Sequence, residues 1–191
     1  MYDLVVVGGG PAGASAATFA SRAGLSTVVI DADKGLTRMA MLNNHLGFPE
    51  GITGPDLVEA GRAQAVRNGA EWVEGVATSL ASADGVVTVG TEAGVEYQAP
   101  AVLLTLGTNV TLANEARIAT TDGTEPRIKT IVVVDAEGRT SMPGVWAAGT
   151  VAGVSVHTIV TAGDGARVAI NIISTQKGER WVDHDLMPKS E

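Results

Sequence analysis

Short apolar runs separated by polar and glycine-rich segments set the pattern of this chain. Residues 2–7 and 25–30 are runs rich in valine, leucine and isoleucine, which is typical of strands covered on both faces. Between them, residues 11–23 carry small side chains at helical spacing, and Gly24 suits the end of a helix. This succession of strand, helix and strand predicts a parallel, right-handed crossover.

The rest of the chain adds strands and helices around this unit. Residues 32–54 form a long connection, a helix begins at Pro55, and residues 70–97 alternate as short antiparallel strands. The pattern predicts an α/β fold, with a parallel core sheet of Rossmann type and a small antiparallel β appendage. Further strands are expected at residues 101–105, 131–134 and 145–148, and a last helix over about 161–176.

Composition narrows the classes of function. The chain of 191 residues is 45% hydrophobic, enough for a single core, and its formal net charge of -8 argues against nucleic acid as a partner. No stretch approaches the about 20 apolar residues that cross a bilayer, and no secretion signal opens the sequence, so we expect a cytoplasmic protein without a membrane partner. The chain contains no cysteine, which leaves it no thiol chemistry of its own.

The run Gly8-Gly9-Gly10-Pro11-Ala12-Gly13 fits the pattern G-x-G-x-x-G between a predicted strand and a predicted helix. In this pattern Gly8 makes the turn, Gly10 admits a ligand, and Gly13 lets the helix touch the strand. The unpaired N–H groups at the start of the helix can then bind a pyrophosphate. A simple glycine-rich turn is the alternative interpretation of the same residues.

Asp31 favours the dinucleotide interpretation. It follows the second strand, 18 residues after Gly13, where a carboxylate can accept hydrogen bonds from both hydroxyls of an adenosine ribose. The alternative is a solvated aspartate at a strand end. Because a carboxylate would repel a 2'-phosphate at close range, a phosphorylated nicotinamide dinucleotide is not expected.

A second motif lies near the end of the chain. Residues 140–150 have the sequence T-S-M-P-G-V-W-A-A-G-T, and A-G-D-G-A follows at residues 162–166. This stretch resembles the C-terminal flavin motif of thioredoxin reductases and related flavoprotein disulphide reductases. Asn44 with Gly47-Phe48-Pro49, and Thr105-Leu106-Gly107, resemble two further segments of that family, in family order. The resemblance implies FAD lying extended across the carboxyl ends of the strands, and a homodimer.

The resemblance also assigns residues to the site. In the family, an acid after the strand-ending glycine holds the ribityl chain, and the next helix points its N-terminus at the flavin. The resemblance implies one FAD-binding domain over residues 1–180, built from segments 1–107 and 130–178 with a short connection at 108–129. Residues 181–191 are a polar tail, and the polar sequence from Lys177 to Glu191 predicts fraying. The implied cofactor-binding residues are Gly8, Gly10, Pro11, Ala12, Gly13, Asp31, Asn44, Val76, Thr105, Gly107, Gly149, Thr150, His157, Thr158 and Ile159.

Three departures from the family limit the expected activity. The family inserts a nicotinamide-binding domain between its two flavin segments, whereas residues 108–129 are few and carry no second glycine fingerprint. The C-x-x-C pair of that domain has no counterpart here. Thr150 stands where the family has an aspartate, and Val156-His157-Thr158 replaces R-Q-A. We therefore expect no thioredoxin reduction by this chain alone, and His157 is a candidate to stabilise reduced flavin.

Three functions remain open from the sequence. The leading hypothesis is an FAD-dependent oxidoreductase or electron carrier that receives electrons from a separate reductase or redox partner protein. The second is a non-catalytic module that binds FAD or an ADP-like ligand for structure or sensing. The third is a NAD-binding Rossmann protein. No metal site is predicted, because His45, His157 and His184 are scattered along the chain.

Overall fold

The computed structural model describes residues 1–187. Within them, the α-helices are α1 (Pro11–Arg22), α2 (Gly54–Arg67), α3 (Thr111–Glu115) and α4 (Thr158–Lys177), and 3₁₀ turns lie at Leu36–Met39 and Thr150–Ala152. The strands are β1 (Leu4–Val7), β2 (Thr27–Asp31), β3 (Met41–Leu42), β4 (Ile52–Thr53), β5 (Glu71–Glu74), β6 (Ala77–Ala83), β7 (Val86–Thr91), β8 (Glu96–Ala99), β9 (Ala101–Leu104), β10 (Thr120–Asp122), β11 (Thr130–Val132) and β12 (Val145–Ala147).

A five-stranded parallel sheet forms the centre of the protein. Its strand order is β12-β9-β1-β2-β5, and β1 lies in the middle, with Val5 opposite Val28 on one side and Val102 on the other. The strands are parallel, so their carboxyl ends share one edge, the edge where ligands bind in open α/β sheets. The predicted α/β fold with a Rossmann-type parallel core is confirmed.

The helices α1, α2 and α4 cover one face of this sheet. The start of α2 is capped, because the Thr53 hydroxyl accepts a hydrogen bond from the Asp56 N–H at 3.2 Å and Pro55 fits the first turn. No helix within residues 1–187 is long and apolar enough to cross a membrane. The core on this face contains Leu4, Val6, Val29 and Leu103 from the sheet and Ala16, Ala17, Ala20, Val168 and Ile172 from the helices.

The antiparallel sheet β6-β7-β8 and the short helix α3 cover the other face. Two small antiparallel pairs, β3 with β4 and β10 with β11, lie outside both larger sheets. The core on this face joins Val5, Val28, Val102 and Leu104 to Leu80, Val87, Val89, Ala99 and Leu112. The predicted antiparallel appendage is therefore present, and it packs on the parallel sheet as a third layer.

Three segments differ from the sequence predictions. Strand β5, predicted as part of the antiparallel appendage, pairs in parallel with β2 and forms an edge of the core sheet. The connection at 108–129, which has no clear periodicity, contains α3 and β10. Helix α4 begins at Thr158 rather than near residue 161, so its first turn reaches the predicted site.

The residues after α4 return to α1 instead of fraying. The ring of Trp181 packs edge-on against Phe19, with ring centroids 6.4 Å apart. The guanidinium of Arg22 donates to Asp183 at 2.8 Å and to Asp185 at 2.7 Å. The prediction of a frayed tail is thus wrong for residues 181–185, because an indole and two carboxylates find partners on α1. The last residues of the predicted tail, 188–191, lie outside the described residues.

Candidate dinucleotide site

The glycine loop between β1 and α1 is held by close backbone contacts. Gly8 has φ +105°, and a Cβ at this position would overlap the carbonyl oxygen of Thr105. A Cβ on Gly13 would overlap the carbonyl oxygen of Gly8. The Thr105 hydroxyl donates to the carbonyls of Val7 and Gly8, at 3.0 and 2.8 Å. Gly8, Gly13 and Thr105 therefore fix the shape of the loop.

Gly10 is the open position of the loop. It precedes the first residue of α1 in an extended conformation (φ -68°, ψ -173°), and a Cβ there would have no neighbour within 4 Å. No side chain caps α1, and its first turn contains no acidic residue. The N–H groups of Ala12 and Gly13 consequently have no partner within the helix and are available to an anion. This cradle fits a pyrophosphate.

Asp31 faces the same loop from the end of β2. Its Oδ1 accepts hydrogen bonds from the backbone N–H of Gly9 at 3.0 Å and of Asp33 at 3.2 Å. A Cβ on Gly9 would overlap both the Asp31 carboxylate and the ring of Trp72. A larger residue at position 9 would therefore displace the Asp31 carboxylate or the Trp72 ring, a constraint that the spacing of the motif does not reveal. Oδ2 of Asp31 remains for a ligand hydroxyl.

A charged and aromatic cluster stands beside Asp31 on the neighbouring strand. Glu74 is the register partner of Asp31, and its carboxylate lies 3.4 Å from the guanidinium of Arg62 on α2. The same guanidinium lies over the ring of Trp72, 5.8 Å from its centroid. The sequence pattern does not reveal this cluster, because it joins α2 to β5, an edge strand that the pattern places in the antiparallel appendage.

The second half of the site begins where β12 ends. Gly149 has φ +79°, and Thr150, which follows it, is buried in a 3₁₀ turn. The N–H of Gly149 donates to Oδ2 of Asp164 at 2.8 Å, and Oδ1 of Asp164 accepts from the Arg167 Nε at 2.9 Å. Asp164 is 8% exposed. Its motif A-G-D-G is visible in the sequence, but nothing there assigns a contact to this carboxylate.

Close packing of α4 on α1 brings the two halves together. A Cβ on Gly165 would overlap the backbone of Ala12, so the two helices touch at their backbones near the start of α1. A Cβ on Gly149 would lie 3.0 Å from the Ala12 Cβ. The glycine loop and the Gly149–Thr150 corner, which the sequence separates widely, thus meet at Ala12.

The start of α4 forms the far end of the site. His157 occupies the N-cap position, is exposed, and shares a 2.7 Å hydrogen bond between its Nδ1 and the Ser155 hydroxyl. His45 Nδ1 and the Thr158 hydroxyl share a hydrogen bond of 2.8 Å, and Ile159 is partly exposed beside them. Burial lowers the pKa of His45 below its ordinary value of 6.5. The hydrogen bond between His45 and Thr158 holds the connection of residues 32–54 against the start of α4.

The remaining predicted site residues lie along the same carboxyl edge with fewer contacts. Gly107 follows β9 with φ +61° and open space at its Cβ position, and Val76 follows β5, where its carbonyl accepts from the Glu92 N–H at 2.9 Å. Asn44 is exposed beside His45. Pro11 and His45 both line a cavity of about 220 Å³ next to the glycine loop.

The chemistry available in the site is that of binding and orientation. Within residues 1–187, no three His, Asp or Glu side chains gather as metal ligands. A larger groove of about 540 Å³ lies between α1 and α2 near Arg22 and Arg67, away from the glycine loop. The site therefore combines free N–H groups at the start of α1, which can bind an anion, with the Asp31 carboxylate, which can accept from hydroxyls. It also contains the buried Gly149–Thr150 corner and two histidines, His45 and His157, at the start of α4.

Comparison with known proteins agrees with this architecture. The family model described as pyridine nucleotide-disulphide oxidoreductase matches residues 2–112. The bifunctional thioredoxin reductase/thioredoxin of Mycobacterium leprae is 38% identical over 113 residues, which cover 58% of this chain and 25% of that protein. The thioredoxin reductase of Streptomyces clavuligerus is 37% identical over 109 residues, covering 55% and 34% of the two chains. The matched region thus spans about a third or less of these relatives.

Solved structures show the same fold. A thioredoxin reductase from Gloeobacter violaceus superposes with a TM-score of 0.79 at 20% identity, the alignment covering 97% of this chain and 99% of that chain. The atypical thioredoxin reductase of Desulfovibrio vulgaris Hildenborough gives a TM-score of 0.77 at 24% identity, with coverage of 94% and 99%. At these identities the likeness concerns the fold alone. Together with the match over residues 2–112, it shows that the chain belongs to the pyridine nucleotide-disulphide oxidoreductase family of flavoprotein oxidoreductases and has a thioredoxin reductase-like fold.

Proposed function

We propose that this protein binds FAD and acts as an FAD-dependent oxidoreductase or electron carrier that receives electrons from a separate donor. The observation that carries the proposal is the meeting of two half-sites at Ala12. Ala12, in the first turn of α1 beside the open Gly10 position, packs against Gly149 at the end of β12. A dinucleotide lying across the sheet edge can occupy both halves at once.

Each part of FAD has a counterpart among the described residues. Asp31 suits the adenosine ribose, and the free N–H groups of Ala12 and Gly13 suit the pyrophosphate. Thr150 suits the ribityl chain with a hydroxyl in place of a carboxylate. The start of α4, with Thr158 and Ile159, suits the flavin ring. The positive end of a helix also favours the negative charge of a reduced ring.

The protein's part in the reaction is to position the cofactor and hold protons near it. When bound, FAD supplies a ring that accepts two electrons and passes them on. When Nδ1 of His157 accepts from the Ser155 hydroxyl, the proton of the neutral ring lies on Nε2, which can then donate to the flavin. Such a donor stabilises the charge of the reduced form. The proposed partner is a separate reductase or redox protein, since this chain contains no cysteine to relay electrons.

The absorption spectrum of the purified protein tests the proposal directly. We expect a flavin band and the release of FAD, identified by mass, on denaturation. Release of FMN alone would remove the role of Asp31, because FMN has no adenosine ribose. Release of NAD would favour the Rossmann alternative, and a colourless protein that takes up ADP but no flavin would favour a sensing module.

The rate of flavin reduction by nicotinamides tests the need for a separate donor. Without a domain that orients the nicotinamide, free NADH meets the ring by collision, and lost orientation raises the barrier by several kcal/mol. We expect slow bleaching of the flavin band with a rate linear in NADH concentration, and prompt bleaching by dithionite. Fast, saturating reduction in stopped-flow absorbance would reveal a nicotinamide site on this chain.

Two further expectations belong to this proposal. The first is a homodimer, which light scattering of the purified protein tests. The second is a cytoplasmic location, which fractionation of the source cells tests. A monomer would leave the flavin site described above unchanged, because every residue placed in it belongs to one chain.

A further inference from the structure

Position 150 carries a threonine where the family resemblance places an acid, yet a carboxylate still reaches this corner from another element. Asp164, on the second turn of α4, accepts a hydrogen bond from the N–H of Gly149, the residue directly before Thr150. We infer that Asp164 is a positioning residue that sets the Gly149–Thr150 corner for the flavin-side half of the dinucleotide. The inference rests on the proposed function and assigns a role within it.

The conformation of Gly149 explains why the corner needs to be held. Its φ of +79° lies in the left-handed region, and the space beside its Cα is limited by Ala12 and Thr161. The Asp164 Oδ2 to Gly149 N contact, at 2.8 Å, fixes the direction of the peptide that leads into Thr150. The side chain of Thr150 can point to a ligand only while this peptide keeps its direction.

The Asp164 carboxylate is itself held in place by Arg167. Oδ1 accepts a hydrogen bond from Nε of Arg167 at 2.9 Å, and Nη2 of the same guanidinium forms an ion pair with Oδ1 at 2.9 Å, so the guanidinium holds this oxygen while Oδ2 bonds Gly149. Nη1 of Arg167 donates to the carbonyl of Ala136 at 2.7 Å. The corner is thus tied through α4 to the turn that precedes β12. A buried charge with this set of partners is stably placed.

The register of α4 is fixed by a neighbouring contact. Gly165 touches the backbone of Ala12, so α4 cannot slide along α1 without a steric overlap. Asp164 therefore keeps a constant distance from both the Gly149 corner and the α1 start. Asp31 and Gly9, which serve the adenosine half, share no contact with Asp164. Loss of the Asp164 contact should consequently affect one half of the ligand and spare the other.

Ligands that occupy different halves of the site give the test. The dissociation constants of FAD, FMN and ADP are measured by flavin fluorescence and by calorimetry for the wild-type protein and its variants. For Asp164→Ala we expect FAD and FMN to bind about tenfold or more weakly, the size of a lost charge-assisted hydrogen bond, with ADP within about twofold of wild type. Equal weakening of all three ligands would make Asp164 merely structural and overturn the inference.

Two conservative variants separate position from charge and remain informative if the alanine variant does not fold. Asp164→Asn keeps an oxygen that can accept from Gly149, and we expect near wild-type FMN affinity. Asp164→Glu keeps the charge and can still pair with Arg167, but its extra methylene displaces the acceptor, and we expect selective loss of FAD and FMN affinity. The opposite order, with Glu tolerated and Asn defective, would overturn a positioning role in favour of a purely electrostatic one.

Val168→Ala is the matched control for loss of stability. Val168 lies one turn further along α4, is fully buried on the helix side of the sheet beside Gly138, and makes no hydrogen bond to Gly149 through its apolar side chain. We expect this variant to lower the melting temperature without separating the affinities for FMN and ADP. A wild-type protein that binds ADP but no flavin would overturn both this inference and the proposed function, whereas flavin affinity unchanged in Asp164→Ala would overturn this inference alone.

Discussion

At the scale of single residues, Asp31 serves the protein and the proposed ligand at the same time. One carboxylate oxygen holds the N–H groups of Gly9 and Asp33, and the other is left for a ribose hydroxyl. Because one oxygen is left for the ligand, removal of the Asp31 carboxylate should lower the affinity for FAD. Asp31→Ala should weaken FAD binding by about 1 to 3 kcal/mol, roughly 5- to 150-fold in Kd, measured by fluorescence of the bound flavin.

Asp3→Ala provides the control for this variant. The Asp3 carboxylate also accepts a backbone hydrogen bond, from Ser26 at 2.8 Å, but it lies at the opposite end of the sheet. Removing it should leave the Kd for FAD unchanged. If both variants weaken FAD binding equally, Asp31 affects binding only through the stability of the fold. If neither variant changes the Kd, Asp31 is a solvated aspartate that does not bind the ribose.

Substitutions of the loop glycines should affect either the stability of the fold or the binding of FAD, depending on the position. Gly13→Ala places a Cβ against the carbonyl of Gly8 and should lower the melting temperature of the ligand-free protein. Gly10→Ala meets no neighbour and has ordinary dihedral angles, so the ligand-free protein should keep its melting temperature while FAD binds more weakly. Thermal denaturation with and without FAD distinguishes the two. A destabilised ligand-free Gly10→Ala protein would contradict the assignment of Gly10 to the ligand.

The sequence identifies residues whose role follows from local order along the chain. The glycine loop and Asp31 are recognisable because a strand, a turn and a helix fix their places. Gly9 and Asp164 are not recognisable in this way, because their partners, Trp72 and Gly149, come from other elements. Contacts of this kind depend on the tertiary arrangement and leave no periodic signal in the sequence.

At the scale of elements, the contrast between local sequence order and contacts with distant elements explains where the observed fold differs from the predicted one. The central strands β1 and β9 are apolar throughout, β2 is apolar from Val28 to Ile30, and all three are correctly predicted as buried strands. Strand β5 has the sequence E-W-V-E, with exposed charges at both ends, because it forms an edge of the sheet. Polar residues in a short strand occur both at the edge of a parallel sheet and in an antiparallel sheet. Only pairing with β2, far back in the chain, decides between them.

The contact between His45 and Thr158 gives an element-scale prediction of pH dependence. Burial lowers the pKa of His45 below 6.5, so the folded state favours the neutral ring, and a cation there would also face the positive end of α4. The unfolded chain binds the proton first as pH falls, so this contribution to stability is complete above pH 6.5 and is lost below it.

Chemical denaturation between pH 5 and 8 measures this effect. We expect His45→Gln, which can still bond the Thr158 hydroxyl, to flatten the part of the stability profile below pH 6.5. His184→Gln changes an exposed histidine after α4 and should keep the wild-type profile. If both variants show the wild-type dependence of the free energy of unfolding on pH, a group other than His45 causes the loss of stability below pH 6.5.

At the scale of the whole molecule, the segment matched by the family is only part of the folded unit. Residues 2–112 contain the glycine loop and Asp31, but β12 and α4 lie beyond them. The helix side of the core would lose Trp146, Val168, Ala169 and Ile172. We expect a fragment of residues 1–112 to lack cooperative thermal unfolding and to bind no FAD.

A chain that ends at Gly178 is the matched control for this fragment. It retains α4 and loses the contacts of residues 180–185 with α1 and α4. They include Trp181 with Phe19, Asp183 and Asp185 with Arg22, Arg180 with Asn171, and the Trp181 N–H with the Ser174 hydroxyl. We expect it to fold and bind FAD, with a lower melting temperature because the edge-on aromatic contact and the Arg22 ion pairs are gone. Circular dichroism with temperature compares the two. A folded, flavin-binding fragment of 1–112 would show that the second half of the site is dispensable.

The backbone contact between Gly165 and Ala12 also sets an order of events during synthesis. Helix α1 leaves the ribosome long before α4, but the glycine that seats against it belongs to α4. The N-terminal half of the cradle must therefore wait, with part of its apolar surface uncovered, until translation has passed Gly165. Capture of the cofactor becomes a late step, so the supply of flavin in the cell should govern how many newly made chains escape aggregation and proteolysis.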